Sequence, residues 1–575
     1  MTIKITRRDA QIAPSLAQHY PPIIAKILAN RAIDSPEALD YRANRLLRAD
    51  AFMGMEKAVE ILHQARLAQR RITIVGDFDA DGATSTAVLL QGLALFGFEN
   101  VSFLVPNRFD YGYGLSPEIV DEAARLGTDM IITVDNGITS LQGAQRCKAL
   151  EITLLVTDHH LPSAELPEAD AILNPNLPDC GFASKNLAGV GVAFYLLVAY
   201  RAHLVKAGWF EQQQIPAPNL GTLLDLVALG TVADVVTLDN NNRILVHQGL
   251  QRIRSRQCRP GILALLEIAN REPEKLVAAD LGFAVAPRLN AAGRLDDMTV
   301  GIQCLTAPDP VSARRLAFQL DHLNQERKAV EAEMQQDAEQ FLTQVDLEDG
   351  LPAGLALFQE HWHQGVVGIL AGRIKERYFR PTIAFARQDE QFLKGSARSV
   401  PGVHIRDVLE ELNGRYPDLI VKFGGHAAAA GLSIAQENFT AFQSCFAALC
   451  DETIAPTLLS GECLTDGELS VPEMSLDFAE KLREYGPWGQ GFPEPTFDGV
   501  FQLLEQRIVG SNHLKMQIKA GNGLVLDAIA FNVDLQEWPN PKVKEIQLVY
   551  KLDVNEFRGR RSVQLLVDAL APANE

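Results

Sequence analysis

The sequence is poor in the devices that hold small or secreted proteins together. Its seven cysteines, at 147, 180, 258, 304, 445, 450 and 463, are an odd number scattered singly with no C-x-x-C spacing. That argues against a disulfide framework, a cysteine zinc site and a redox pair, and the thiols read as reduced and structural. No run of about 18 apolar residues is present, so no membrane-spanning helix is expected. The opening MTIKITRRDAQIAP has no apolar core of the secretion-signal kind, and the expected location is the cytoplasm. Cations are also short: 53 Lys and Arg against 72 Asp and Glu give a net charge of −19. Such a balance speaks against nucleic-acid binding over the surface as a whole. It leaves room for a carboxylate-lined metal site, which adds negative charge, and for a groove with a local basic lining. A chain of 575 residues, 47% apolar and 22% charged, has ordinary globular composition, and at roughly 100–200 residues per domain it divides into three or four.

What is present centres on Arg71 to Ala87, RITIVGDFDADGATSTA. The apolar run Ile72 to Val75 is followed by a glycine and then by alternate carboxylates Asp77, Asp79 and Asp81. A short β-branched run reads as a buried parallel strand, and the Gly, Ala, Ser and Thr after it lead into a helix expected to start near Ser85. The carboxylates then stand at the C-terminal edge of the strand, where open α/β sheets bind ligands. Three acids within five residues repel one another unless neutralised, and Mg²⁺, Mn²⁺ or Ca²⁺ suits a carboxylate set. A solvated acidic turn is the competing reading of this stretch taken alone.

The chain around it alternates. Residues 1–50 form an N-terminal extension with helical patterning, expected to pack on the next domain. The helix 56–69 leads into strand 72–75, helix 85–96, strand 101–105, helix 116–126, strand 130–134, helix 139–149 and strand 152–156, a pattern that predicts a parallel sheet with right-handed crossovers. Two further strand ends carry chemistry. Strand 130–134 runs into Asp135-Asn136-Gly137, and strand 152–156 into Thr157-Asp158-His159-His160. An Asp after a strand is often only a helix cap. Two adjacent histidines are rarer, and carboxylates and imidazoles converging from three strand ends make a mixed oxygen and nitrogen site that suits Mn²⁺ better than Ca²⁺ without excluding Mg²⁺, Fe²⁺ or Zn²⁺. The later segment GTLLDLVALGTVADVVTL (221–238) holds Asp225 and Asp234 among apolar residues. Asp234, after small residues that allow close approach, is the better candidate ligand, and Asp225 reads as a helix residue with its own partner.

The motifs DFDADG (77–82), VDNG (134–137), DHH (158–160) and GTVAD (230–234), in this order, resemble the four signatures of the DHH phosphoesterase family. PRLNAAGRLDD (287–297), HQGVVGILAGRI (363–374), KGSARS (394–399) and GGHAAAAG (424–431) extend the resemblance, over nearly the whole chain, to the branch of bacterial single-strand-specific 5′→3′ DNA exonucleases. The resemblance implies an α/β multidomain fold: a parallel-sheet catalytic domain (51–306), a long connecting helix (307–349), an α/β DHH-associated nucleic-acid-binding domain (350–454) and an OB-like β-barrel (455–575). It implies two divalent ions, Mn²⁺ or Mg²⁺, on Asp79, Asp81, Asp135, His159, His160 and Asp234, with Asp77 beside them and Asp158 orienting the histidines. Other DHH branches have a histidine before the Asp-x-Asp pair, where this chain has Asp77. The resemblance puts Arg108, Tyr113, Arg288, Arg294, Arg373, Ser396, Arg398, Gly424, Gly425 and His426 on the DNA or its phosphates. As partners it implies single-stranded DNA, a single-strand-binding protein and a RecQ-type helicase, for a monomer acting at the nucleoid in repair and recombination. Relatives that hydrolyse short oligonucleotides, cyclic dinucleotides or pyrophosphate are shorter and lack the barrel. A non-catalytic replication subunit would have no reason to keep every ligand.

The remaining segments agree with that organisation. From Asp309-Pro310, a good helix start, no Gly or Pro occurs until Gly350, and Leu316, Leu320, Leu323, Val330, Met334 and Phe341 recur at helical spacing. A helix of about 37 residues would span ~55 Å. Glycines beside Arg, Ser and His donors in 350–450 suit phosphate oxygens. After about 455 the pattern is all-β, with five strands expected to form a small barrel. Lys515, Lys519, Lys551, Arg558, Arg560 and Arg561 supply cations there, and Phe531, Trp538, Tyr550 and Phe557 are either stacking faces or core.

Overall fold

The computed structural model describes residues 4–106, 114–348, 350–521, 523–557 and 559–573. The chain divides into two compact units, one formed by residues 7–324 with 464–575 and the other by 1–6 with 325–463. Among the described residues no helix is long and apolar enough to cross a membrane, and all seven cysteines are free.

In the first unit, helix α1 (Met55–Leu67) precedes a five-stranded parallel sheet: β1 Ile72–Gly76, β2 Val101–Leu104, β3 Met130–Val134, β4 Thr153–Thr157 and β5 Ala171–Leu173, in the order β2-β1-β3-β4-β5. Every residue of β1 and β3 is buried, as continuous Ile, Val and Thr runs require when helices cover both faces. The order reverses at β1, so the loops after β1 and β3 diverge and open a crevice at the sheet's C-terminal edge. The amide of Asn136, fully buried, donates to the carbonyls of Val75 at 3.0 Å and Val134 at 2.9 Å and ties these two strand ends together.

The helix after β1 is longer than its composition predicts. α2 spans Ala80–Leu95, five residues ahead of Ser85, because Asp79 caps it by accepting the Gly82 N–H at 3.0 Å. Asp81 therefore lies in the helix's first turn. Next come α3 (Pro117–Arg125) and α4 (Leu141–Ala149), then α5 (Gly189–Lys206), buried through its first half, and α6 (Leu224–Ala233), almost wholly buried. Asp234 caps the C-terminal end of α6.

The C-terminal segment closes a five-stranded barrel from β11 Phe497–Val509, β12 His513–Lys519, β13 Val525–Ala530, β14 Glu545–Phe557 and β15 Arg560–Pro572. The all-β expectation from 455 is corrected here, since residues before β11 include a helix, Leu476–Glu484. One hydrophobic core runs through the sheet domain and the barrel, joining residues such as Leu265 and Leu305 to Leu514, Met516 and Leu565. The N-terminal extension touches both. Arg31 makes a fully buried bidentate pair with Asp466, at 3.0 and 2.9 Å, while Arg243 and Asn241 of the sheet domain bond to Ala38 and Leu47. Tyr550 and Trp538 are buried in the barrel and are core, whereas Phe531 is exposed; the Phe557 side chain and Arg558 lie outside the described residues.

Helix α8 (Pro310–Glu348, 39 residues) begins in the first unit and ends in the second. There a mixed sheet, β9-β10-β8-β7-β6, is built from β6 Leu355–Phe358, β7 Thr382–Arg387, β8 Phe392–Arg398, β9 Lys422–Gly425 and β10 Ala429–Ala435. Helix α9 (Val367–Tyr378) connects its two parallel strands.

Candidate metal centre and phosphate site

The loops at the C-terminal edge of the first sheet bring seven acidic and imidazole side chains together. Ligand atoms lie within 4.8 Å of one another in three overlapping groups: Asp135, His159 and His160; Asp81, His159 and Asp234; and Asp77, Asp79 and Asp135. Asp135 and His159 each belong to two groups. Nε2 of His159 stands 3.0 Å from Oδ1 of Asp135, 3.4 Å from Oδ2 of Asp234 and 4.0 Å from Oδ2 of Asp81. That nitrogen is buried and makes no hydrogen bond among the described residues, while the Leu187 backbone holds the ring by its other side. A buried imidazole nitrogen aimed at three carboxylates fits a divalent cation.

Backbone geometry aims these groups. Asp135 adopts the left-handed φ of 61°, which turns the chain sharply out of β3. Gly189 faces it so closely that a Cβ there would lie 2.6 Å from the Asp135 Cβ. The same turn serves Asp81, whose two oxygens accept the Gly189 N–H at 2.6 Å and the Val190 N–H at 2.9 Å, at the N-terminus of α5. Asp158 binds Ile138 N–H at 2.9 Å and, through its other oxygen, Nδ1 of His160 at 2.7 Å. This carboxylate orients the histidine, as carboxylates behind metal ligands do.

The electrostatics are those of a site waiting for positive charge. Burial, reinforced by Asp79, pushes the Asp81 carboxyl up to about 7. Burial and the neighbouring carboxylates push Asp135 and Asp234 well above the usual range. Burial lowers His159 to about 4. For His160 burial works against charge, but the Asp158 carboxylate outweighs it and raises the ring to about 8. Asp158, which burial alone would push up, is held below its ordinary value by that hydrogen bond.

Asp225 is outside the cluster. It is buried against Arg259, with Nη1 at 2.5 Å, and also accepts the Arg259 and Leu226 N–H groups. Sequence reading missed Asn136, Gly189 and Val190 as builders of the site, and also Asn290, whose side chain accepts the Ala80 N–H at 2.8 Å and braces the start of α2. Gly189 and Val190 open an apolar helix and carry no local mark of contact with an acid.

In the second unit Arg398, at the end of β8, donates to the Ser396 hydroxyl at 3.1 Å and to the Ala397 carbonyl at 2.8 Å, and no carboxylate pairs with it among the described residues. Burial lowers its pKa. A Cβ on Gly368, in the first turn of α9, would lie 3.0 Å from its Nη2. A half-buried guanidinium without a counter-ion, a hydroxyl and a helix N-terminus thus converge, which is an arrangement for an anion. On β9, Gly424 and the following His426 are exposed at the strand's end, where Gly425 is half-buried. Arg373 is placed differently, with its Nε 3.0 Å from Glu331, which also pairs with Arg327 at 2.6 Å. In the first unit Arg288 is paired with Asp321 at 2.8 Å, and Arg294 lies in helix α7 (Ala286–Leu295). Arg108 and Tyr113 lie outside the described residues.

Aspartates and histidines gathered at the edge of a parallel sheet define a divalent-metal centre of the hydrolytic kind. The DHH family N-terminal domain matches residues 71–231, the DHHA1 domain residues 352–452 and the RecJ OB domain residues 465–569. Single-stranded-DNA-specific exonuclease RecJ of Salmonella typhimurium is 54% identical over 99% of this chain and 99% of its own, and that of Bacillus subtilis is 32% identical over 99% and 70%. A crystal structure of RecJ from Thermus thermophilus in complex with Mn²⁺ is similar with a TM-score of 0.80 and 28% identity, covering 100% of this chain and 80% of that one. The chain belongs to the DHH family, in its RecJ branch.

Proposed function

We propose that the protein is a divalent-metal-dependent exonuclease that degrades single-stranded DNA from the 5′ end to mononucleotides. The observation that carries this reading is the pair of residues, Asp135 and His159, shared between overlapping ligand groups in a chain related over its full length to single-stranded-DNA-specific exonucleases. Asp77, Asp79 and Asp135 would hold one ion and Asp81, His159 and Asp234 the other, with Asp135 as the bridging carboxylate and His160 alongside. Two such ions, Mn²⁺ or Mg²⁺, lower the pKa of an attacking water and neutralise charge on the phosphodiester.

The protein's own groups do the rest. Asp158 engages Nδ1 of His160, so Nε2 is the ring nitrogen that would serve a metal ion or the reacting phosphate. In the second unit Arg398, Ser396 and His426, with the backbone of Gly424 and Gly425, bind phosphates of the DNA, and in the first Arg108, Tyr113, Arg288 and Arg294 do so. Arg373 joins them by exchanging Glu331 for a phosphate. The 5′ polarity, the action at the nucleoid in repair and recombination, and the partnership with a single-strand-binding protein and a RecQ-type helicase rest on the family. Incubation of 5′- and 3′-labelled single- and double-stranded DNA and RNA with Mn²⁺ or Mg²⁺ tests the reading. Labelled mononucleotide released first from the 5′ end of single-stranded DNA is expected. Release first from the 3′ end, or equal attack on duplex, would refute it.

A further inference from the structure

The segment GPWGQGFP (486–493) of the C-terminal region has no part in the metal centre as described so far, yet it lies against the loop that leaves Asp234. The carbonyl of Gln490 accepts the Leu238 N–H at 2.7 Å. Gly491 takes the left-handed φ of 70°, and a Cβ on it would lie 2.4 Å from Cγ2 of Thr237. Phe492, almost fully buried, has the Arg243 guanidinium 4.4 Å over its ring, and the same Arg243 donates through Nη1 to the Leu238 carbonyl at 2.9 Å. Trp488 stacks on Phe492 at 4.9 Å with the planes 17° apart, and Gly489 and Phe492 exchange backbone hydrogen bonds that close the loop.

On its other side the clamped segment is short and strained. Two residues separate Asp234 from Thr237, and one of them, Val235, holds a left-handed φ of 59°, which a β-branched side chain resists. A conformation of that kind persists only when its surroundings enforce it. Asn242 enforces the far end by donating to the Thr237 carbonyl at 2.9 Å, and Gln490 and Gly491 hold Leu238 and Thr237 from the other side, while Val235 itself is exposed.

We infer that the Trp488–Phe492 loop is a positioning element for Asp234, so that the C-terminal region helps to build the metal centre and is more than a platform for DNA. The inference rests on the reading of Asp234 as a ligand. Gly491 is the residue that decides it, because a methyl group there meets the Thr237 side chain directly and presses on the segment three positions from Asp234.

The test measures Mn²⁺ binding to the full chain by the loss of the free-ion electron paramagnetic resonance signal, with no DNA present. Gly491→Ala is expected to weaken Mn²⁺ binding by roughly 10–100-fold, the range for groups that orient metal ligands. Adding Thr237→Ser, which removes the colliding methyl, is expected to restore most of it. Gly559→Ala, at a left-handed glycine with nothing within 4 Å, controls for strain alone and is expected to bind as wild type. If Gly491→Ala does not fold, Phe492→Leu carries the same expectation through the loss of the Arg243 stack. Wild-type Mn²⁺ affinity in Gly491→Ala, or in Phe492→Leu where that variant carries the test, beside weakened binding in Asp234→Ala overturns the positioning role. Unchanged binding in Asp234→Ala itself overturns the ligand assignment and the inference with it.

Discussion

Nε2 of His159 and Oδ1 of Asp135 face each other at 3.0 Å inside a cluster whose other members are nearly all acids. The cluster is costly without its ions, because buried like charges disfavour each other's ionised forms. Asp135→Asn replaces, at constant shape, a carboxyl whose ionised form the metal-free fold opposes. It is expected to abolish hydrolysis while stabilising the metal-free protein by roughly 1 kcal/mol, as at other sites where function opposes stability. Urea unfolding in chelator, read beside a nuclease assay, checks both parts. A metal-free variant less stable than wild type would count against the charge argument.

The pH dependence has a definite sign between about 6.5 and 8. Unfolded Asp and His titrate near 3.9 and 6.5, whereas the folded carboxyls of Asp81, at about 7, and of Asp135 and Asp234, well above their usual range, and His160, at about 8, all lie higher. The native state therefore binds more protons than the unfolded chain in this window, and metal-free stability falls as pH rises through it. His159, lowered by burial, acts in the opposite sense mainly between about pH 4 and 6.5 and fades through the lower part of this window, where the four raised groups outweigh it. Bound Mn²⁺ must displace those protons, so the rise in melting temperature on adding Mn²⁺ should be larger at pH 8 than at pH 6.5. Scanning calorimetry with and without the ion measures it, and an equal or smaller rise at pH 8 would contradict the assignment.

Arg398 should govern grip and leave the chemistry alone. Arg398→Ala is expected to weaken single-strand binding and to reduce the slope of log affinity against log salt by about 0.7, the loss of one phosphate contact. The rate at saturating DNA should change little. Fluorescence anisotropy over a salt series decides, and an unchanged slope would remove Arg398 from the phosphate path.

The Arg31–Asp466 pair, fully buried, ties the N-terminal extension to the segment preceding the barrel. Arg31→Ala leaves the buried Asp466 carboxylate with only the more distant Arg8, at 3.7 Å, and should cost about 3 kcal/mol, the low end for a broken buried pair. A chain ending near residue 463 loses this pair and the barrel's part of the shared core, and is expected to lose cooperative unfolding of the sheet domain. Circular dichroism melts follow both. A truncated chain that unfolds as cooperatively as the whole would show that the barrel is an independent module.

Much of the site was legible because its residues follow their strands directly. An Ile, Val and Thr run buried on both faces announces a parallel strand, and the next residues must then stand at its C-terminal edge, which places Asp77, Asp79, Asp135, His159 and His160 from local pattern alone. The five barrel strands could be read for a similar reason, since alternation is a local signal. Asp79 also shows the limit, because its own cap bond carries α2 back to Ala80 where composition pointed to Ser85.

What the tertiary structure alone decided are the partnerships between distant residues. Asp81 is anchored by Gly189 and Val190, more than 100 positions away, through backbone N–H groups that every residue but proline offers and that no sequence pattern distinguishes. Arg259 claims Asp225, so of the two carboxylates that sequence marks in 221–238 only Asp234 faces the cluster, and which one does depends on what packs beside it. Tyr550 and Trp538 went to the core for the same reason. The sequence determines which residues stand at the end of a strand, because φ, ψ and burial periodicity are local. Which of those residues remain unneutralised, and therefore able to hold a metal ion or a phosphate, is set by long-range electrostatic and packing partners that only the folded chain brings together.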